Sequence, residues 1–557
     1  MDTNTRTNLE YLLQADLLAN VIPALGTEQW QPLYVSQHSR PDRFGLYCAL
    51  LGGPAAEQAV QRDGWDLKIG DGLPGFSGGY ARDGKIDATY HRFGDSRGVR
   101  PLVVYRDFHG VFPDYVELCE EFRHYHNLAD DPKRGLLLDF DDSGYEIEVA
   151  RIAPKQVDVR LRYLKQFLAG TRLHLGIYID SVRYSKIPLD QIAEDQRELI
   201  VQQEFLRYRR DIVKCDHIPE YATFSRVLST VVIPPGPLER AGIWPFEPAD
   251  DREVTFIVGV DGDGEPVEHT SNHEKLGNYF GANADAPHYL TPIYFRKEVL
   301  GKYYADPDRY SVSDGRLSCF ALWGCQIDNN HPTHVVVFLG DLGRDLPYEE
   351  RLHWKQFNVP PEGGVSEPNY RRSFLAQWAA PQAPDLIFRE EYERLNKCWH
   401  KSQGWPPFLK PAAGDTHLLE TIHIPVTNSQ SELDEQVLAL TKLLIDSLNE
   451  KEIESHGGTG EAGEKGITKF ARFLTATGFE QTEAVVSFLR DLQALRSAGS
   501  GHRKGKRYDQ IIADLGIDPK NKPAVMSRLL EEATVVLSAL GLKYCTDYRP
   551  VGEQFRG

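Results

Sequence analysis

Cysteine pairs at disulfide- or metal-forming spacing are missing from this sequence. Its seven cysteines (Cys48, Cys119, Cys215, Cys319, Cys325, Cys398 and Cys545) are odd in number and scattered, with no C-x-x-C among them. A disulfide framework and a thiolate zinc site are therefore not expected, and the residues read as reduced core thiols. Also missing is any apolar run near the ~18 residues of a membrane span. Residues 1–8 are polar and lack the basic-then-apolar layout of a signal peptide, so a soluble, cytoplasmic protein with no membrane contact is expected. Positive charge is scarce: 63 Lys and Arg stand against 81 Asp and Glu, a net −18. Such a chain repels nucleic acid as a whole, and any polyanion binding needs a local basic patch.

What is present is enough for several cores. At 557 residues the chain exceeds the ~250–300 at which one core stops growing, and the expected fold class is α+β multidomain. A mixed, strand-rich N-terminal region is expected as two mixed α/β domains, 1–215 and 216–424, followed by an all-α helical bundle over 425–557. Residues 136–140 and 145–152, joined by Asp141-Asp142-Ser143-Gly144, read as a hairpin. Residues 254–260 and 266–269, turned at Asp261-Gly262-Asp263-Gly264, read as another. The run 334–339 (HVVVFL) suits a buried strand. Helices are expected over 115–125 and over the polar stretch 189–213, rich in Gln, Glu, Leu and Arg, the latter as a separator between β-rich units.

After Pro425 the pattern turns helical. Ser431-Glu432-Leu433-Asp434 has capping-box spacing, and Val437, Leu440, Leu444 and Leu448 share one face. A glycine-rich connector over 456–466 reads as a mobile loop before a short helix at 467–475. A third helix spans 480–496 with Val485, Leu489 and Leu492 on one stripe, and that stripe continues to Arg496, which is expected to face the bundle or a partner. A turn or short helix covers 508–515. Asn521 and Pro523 then open a last helix with Val525, Leu529, Val536 and Leu540 on one face.

Residues 496–507 (RSAGSGHRKGKR) hold five fixed positive charges, one histidine and no acid. Their glycines let backbone N–H groups approach a ligand, and Arg and Lys supply charge for phosphate. Arg496 offers a cation and His502 a proton carrier near neutral pH. An Arg followed after four to six residues by a His, near the C-terminal end of a bundle helix, resembles the motif of HEPN-type ribonucleases. The resemblance covers the chain from about residue 431, with Ser497 polar and Gly499 and Gly501 inside the spacer. It implies catalytic Arg496 and His502 and a site shared across a homodimer, while Arg503, Lys504, Lys506 and Arg507, either a solvated charged loop or an anion contact, are taken as RNA-phosphate contacts because no acid compensates them. It further implies cleavage by the ribose 2′-hydroxyl without metal or cofactor, and a role as a toxin or effector of antiphage defence. Residues 1–424, which carry no family pattern, are expected to sense or regulate, with an unknown trigger. The rival reading is a non-enzymatic RNA- or nucleotide-binding regulator using the same loop.

Other polar clusters have plainer readings. Asp261, Asp263 and Glu265 imitate the start of a calcium loop, but Asn272 stands where the twelfth-position glutamate belongs, which leaves a hairpin turn. His269 and His273 have zinc-like spacing without a third ligand. Asp328, His331, His334, Asp341 and Asp345 flank the expected buried strand. They read as loop-satisfying residues, with a metal-dependent hydrolase centred on Asp328 and His331 as a second alternative function. Trp323, Trp354, Trp378, Trp399 and Trp405 read as core or interface residues.

Overall fold

The computed structural model describes residues 7–61, 75–80, 83–91, 98–247, 252–412, 415–457, 460, 463–499 and 506–551. The chain divides into two compact units. One comprises residues 1–141 and 145–249, the other 142–144 and 250–557.

The first unit is built on one antiparallel sheet of eleven strands. Its strand order is Glu198–Gln203, Leu206–Lys214, Thr223–Ile233, His174–Ser185, Asp42–Leu51, Trp30–Ser39, Gln156–Arg160, Glu146–Ala153, Leu136–Phe140 and Ala129–Asp131, with Val99–Pro101 added beside Asp42–Leu51. His174–Ser185 is central and buried along most of its length, as its Ile, Tyr and Val content favours. The helix Leu161–Thr171 lays Leu161, Leu164, Phe167 and Leu168 into the core and ends at Arg172, whose left-handed backbone stops it.

The hairpin expected at 136–152 is present, whereas the helix expected over 189–213 is not. That stretch holds a single 3-10 turn (Leu189–Gln191), a four-residue helix (Glu194–Arg197) and then a β-hairpin, Glu198–Gln203 with Leu206–Lys214. The reason is alternation. Tyr208, Arg210 and Ile212 are buried while Arg207, Arg209 and Asp211 between them are less so, a period of two that side-by-side pairing rewards over the helical propensity of Glu, Gln and Arg. The helix expected at 115–125 is shortened in the same way, to Glu120–Tyr125 behind the strand Tyr115–Leu118. The boundary expected near 215 falls between two adjacent strands of this sheet.

The second unit combines a β-rich part and a helical part. Pro292–Arg296 pairs with His334–Phe338 and with Asn358–Val359, and His334–Phe338 is buried at every position, as HVVVFL suggests. The hairpin Thr255–Val260 with Pro266–Thr270 is also present. At its turn the Asp261 carboxylate accepts from the backbone N–H of Asp263 and Glu265. Trp354 is fully buried, edge-on to Phe295 at 4.7 Å.

Among the described residues the helical part is carried mainly by α1 Pro384–Gln403, α2 Gln430–Thr441, α3 Glu450–Gly457, α4 Gly466–Ala476, α5 Thr482–Gly499, α6 Lys506–Asp514 and α7 Lys522–Tyr544. The face Val437, Leu440, Leu444 and Leu448 is buried as expected, although the helix begins earlier, after Ser429. Glu432 reaches back to the N–H groups of Val426 and Thr427 rather than to the cap. Asn521 caps α7 by accepting from Ala524 N at 3.1 Å. Residues 456 and 457 belong to α3, while 458–459 and 461–462 of the expected glycine connector lie outside the described residues. The bundle core draws Phe388, Tyr392, Leu395 and Trp399 from α1, so helical packing reaches well before residue 425. Among the described residues no helix is long and apolar enough to cross a membrane.

Candidate functional site

The site expected from the basic loop begins at the last turn of α5. Val485, Leu489, Leu492 and Leu495 are buried, worth roughly 1.5–3 kcal/mol for each fully covered leucine or valine, and they fix the helix against α2. Arg496, next along the stripe, is not in the core. Its side chain is about a third exposed (34%), and its guanidinium meets Asp446, with Nη1 donating to Oδ2 at 2.7 Å. Of the two expected directions, bundle or partner surface, the bundle interior is not the one taken: Leu495 holds the inward position and Arg496 the rim. Among the described residues Asp446 is its one hydrogen-bond partner. A cation in the last turn also suits the negative end of the helix dipole.

Asp446 is positioned by an irregularity. After α2 the backbone widens into a π turn over Lys442–Asp446, a feature often found at functional sites. The following corner is then clamped: Leu409 N donates to Ser447 O (2.7 Å), Asn449 N to Pro407 O (2.9 Å) and Asn449 Nδ2 to Pro406 O (3.0 Å). Of the other expected site residues, His502, Arg503 and Lys504 lie outside the described residues. Lys506 and Arg507 open α6, with side chains outside the description. Arg496 is thus the one expected site side chain whose surroundings are described. Its acidic partner, fifty residues earlier in the chain, could not be paired with it from spacing alone.

The second candidate cluster divides in two. Asp328 is buried, and its carboxylate is consumed by three donors: Ser366 N (2.7 Å), Ser366 Oγ (2.7 Å) and Asn330 N (3.1 Å). Asn330 Oδ1 in turn accepts from Gln382 N at 2.7 Å. His331 Nδ1 accepts from His334 N at 3.1 Å. Burial, with the neighbouring His334 ring, holds the His331 pKa below the usual histidine range. Asp341 and Asp345 sit instead on the helix Leu339–Asp345, where a turn was expected. There Asp341 accepts from Tyr289 OH (2.8 Å) and Arg344 (3.0 Å), and burial raises its pKa. Among the described residues no three or more His, Cys, Asp or Glu side chains are grouped to hold a metal ion. Asp328 fastens the loop 328–331 to residue 366; a cavity of about 140 Å3 beside it is lined by Asp314, Asn369, Arg372 and Ser373, with Arg372 already paired to Asp314.

Glu350 and Glu391 are among the buried carboxylates that were not anticipated. Glu350 accepts from Lys302 Nζ and Tyr303 OH, both at 2.6 Å. Glu391 accepts from Ser538 Oγ (2.5 Å), Tyr548 OH (2.8 Å) and Val551 N (2.8 Å). Both serve packing, and their partners lie too far along the chain for spacing to reveal. Of the five tryptophans considered, Trp354, Trp399 and Trp405 are core, Trp323 is half-buried and Trp378 is exposed. Comparisons of the chain with protein-family models, with curated proteins and with solved structures each found no match.

Proposed function

We propose that the helical part is a HEPN-like, metal-independent endoribonuclease, with the strand-rich regions sensing or regulating it. The observation that carries this reading is Arg496: a rim-exposed guanidinium in the last turn of α5, held by Asp446, at the start of a segment with five fixed positive charges on a chain of net −18. In this reading Arg496 stabilises charge building on the phosphate oxygens. His502 takes the proton of the ribose 2′-hydroxyl as that oxygen attacks phosphorus. The 5′-oxygen of the next nucleotide leaves and takes a proton from water to become a hydroxyl, and a 2′,3′-cyclic phosphate remains. Arg503, Lys504, Lys506 and Arg507 bind flanking phosphates. Two copies meet through the helical part to complete the site, and an effector or toxin role in antiphage defence follows from the same resemblance.

One observation favours the non-catalytic rival. Asp446 already offsets the Arg496 charge, as suits a structural tie beside a loop that only binds RNA. Incubating the protein with mixed RNA in EDTA separates the two. The nuclease reading expects fragments with cyclic phosphate ends and their loss in Arg496→Ala and His502→Ala. The binding reading expects retention of RNA without cleavage.

A further inference from the structure

The chain beyond α7 lies along α1 and is held there turn by turn. Gln403 Nε2 donates to Tyr544 O (2.8 Å), Thr546 N to Ser402 Oγ (3.0 Å) and Arg394 Nη1 to Arg549 O (3.0 Å), while Tyr548 and Val551 bind Glu391. Two cysteines fall inside this seam. Cys398 Sγ points at Thr546 O, 3.7 Å away, and Cys545 is the residue before Thr546, its thiol a neighbour of the Cys398 thiol. Both are free; Cys545 is buried and Cys398 partly exposed. The neighbouring pair Cys319 and Cys325 has no such relation, since in their hairpin Cys319 stands opposite Trp323 and Cys325 opposite Leu317.

We propose that Cys398 and Cys545 form an oxidant-responsive disulfide that fastens the C-terminal segment covalently to α1. With hydrogen peroxide as oxidant, the Cys398 sulfur attacks one peroxide oxygen and the O–O bond breaks. The products are Cys398 sulfenic acid and hydroxide, which takes the thiol proton to become water. The Cys545 sulfur then attacks the sulfenic sulfur, the S–S bond forms, the S–O bond breaks, and a second water leaves with the Cys545 proton. Two thiols lose two electrons and the peroxide gains two. Exposure assigns the first step to Cys398. Burial, and then the adjacent Cys398 thiol, push the Cys545 thiol up to about 12, which makes it a poor first nucleophile. The bond would close the stretch between residues 398 and 545, which contains every helix from α2 to α7, and so would restrict the unfolded chain more than the folded one. This inference is independent of the ribonuclease reading.

The test uses the full chain, reduced, exposed to hydrogen peroxide, blocked with iodoacetamide in denaturant and mapped by peptide mass spectrometry. The expected result is a dithiothreitol-sensitive peptide pair joining Cys398 to Cys545 within one chain, together with a higher thermal midpoint than the reduced protein. Cys398→Ser and Cys545→Ser should each abolish the rise. Recovery of Cys398 as sulfinic acid, of both residues as free thiols, or of Cys398 joined to another chain would overturn the proposal. The mapping needs only the unmutated protein, so it stands even if a variant misfolds.

Discussion

The Asp328 loop and the rim of α5 both gather charged side chains, and they use them in opposite ways. At Asp328 a buried carboxylate meets three donors within 3.1 Å, so its lone pairs are spent on holding residues 330 and 366. At Arg496 a guanidinium a third exposed meets one carboxylate. The difference teaches that residue type alone does not identify a reactive site: the donors around Asp328 make that carboxylate a fastening of the loop, whereas Arg496 sits at the rim in a single ion pair.

The largest effect expected from this contrast is on stability at Asp328. Asp328→Ala removes the acceptor of three donors in the interior and should cost about 4 kcal/mol, read as a drop in the denaturation midpoint. Asp328→Asn keeps one carbonyl acceptor and should lose less. Equal, negligible losses for both would show that the loop does not depend on this carboxylate.

A related effect is expected at Glu432. Its carboxyl is penalised by burial, but hydrogen bonds from His423, Thr427 and the Val426 and Thr427 backbone outweigh that and hold its pKa down to about 2. A folded pKa below the unfolded one gives stability that is complete above about pH 4.5 and lost as pH falls toward 2. The contribution is on the order of 3 kcal/mol. Glu432→Gln should therefore lower stability at pH 7 and flatten the acid limb between pH 4.5 and 2. An unchanged limb would contradict the hydrogen-bonded cluster.

Legibility in the sequence followed the same divide between local and distant partners. The α2 face, the Asn521 cap and the two hairpins around Gly144 and Gly264 rest on short-range spacing, and each is present. The stretch 189–213 misled because Gln, Glu and Arg favour a helix locally, while its pairing with Thr223–Ile233 is a tertiary matter. Arg496 stood out as charge at the end of an apolar stripe. Its partner Asp446 depends on a π turn in another helix, which spacing does not encode. Glu350 and Glu391 look like surface acids in sequence; only the fold buries them.

Smaller effects should appear at the α5 rim. Arg496→Ala breaks a half-exposed ion pair and should change stability by no more than about 1 kcal/mol, in contrast to Asp328→Ala. A large loss of stability would make Arg496 a structural tie. Neutralising Arg503, Lys504, Lys506 and Arg507 should weaken RNA binding. The slope of log affinity against log salt should fall by roughly 0.7 for each single-strand phosphate that the variant no longer neutralises. An unchanged slope would remove these residues from the RNA-binding surface.

The central claim is chemistry at Arg496 and His502, and the most direct measurement is RNA cleavage in EDTA by the unmutated protein beside His502→Ala, with RNA affinity measured on both. The account predicts cleavage to 2′,3′-cyclic phosphate ends by the unmutated protein, none by His502→Ala, and affinities within a few-fold of each other. Full cleavage by His502→Ala, or loss of all cleavage by the unmutated protein on chelation, would contradict it.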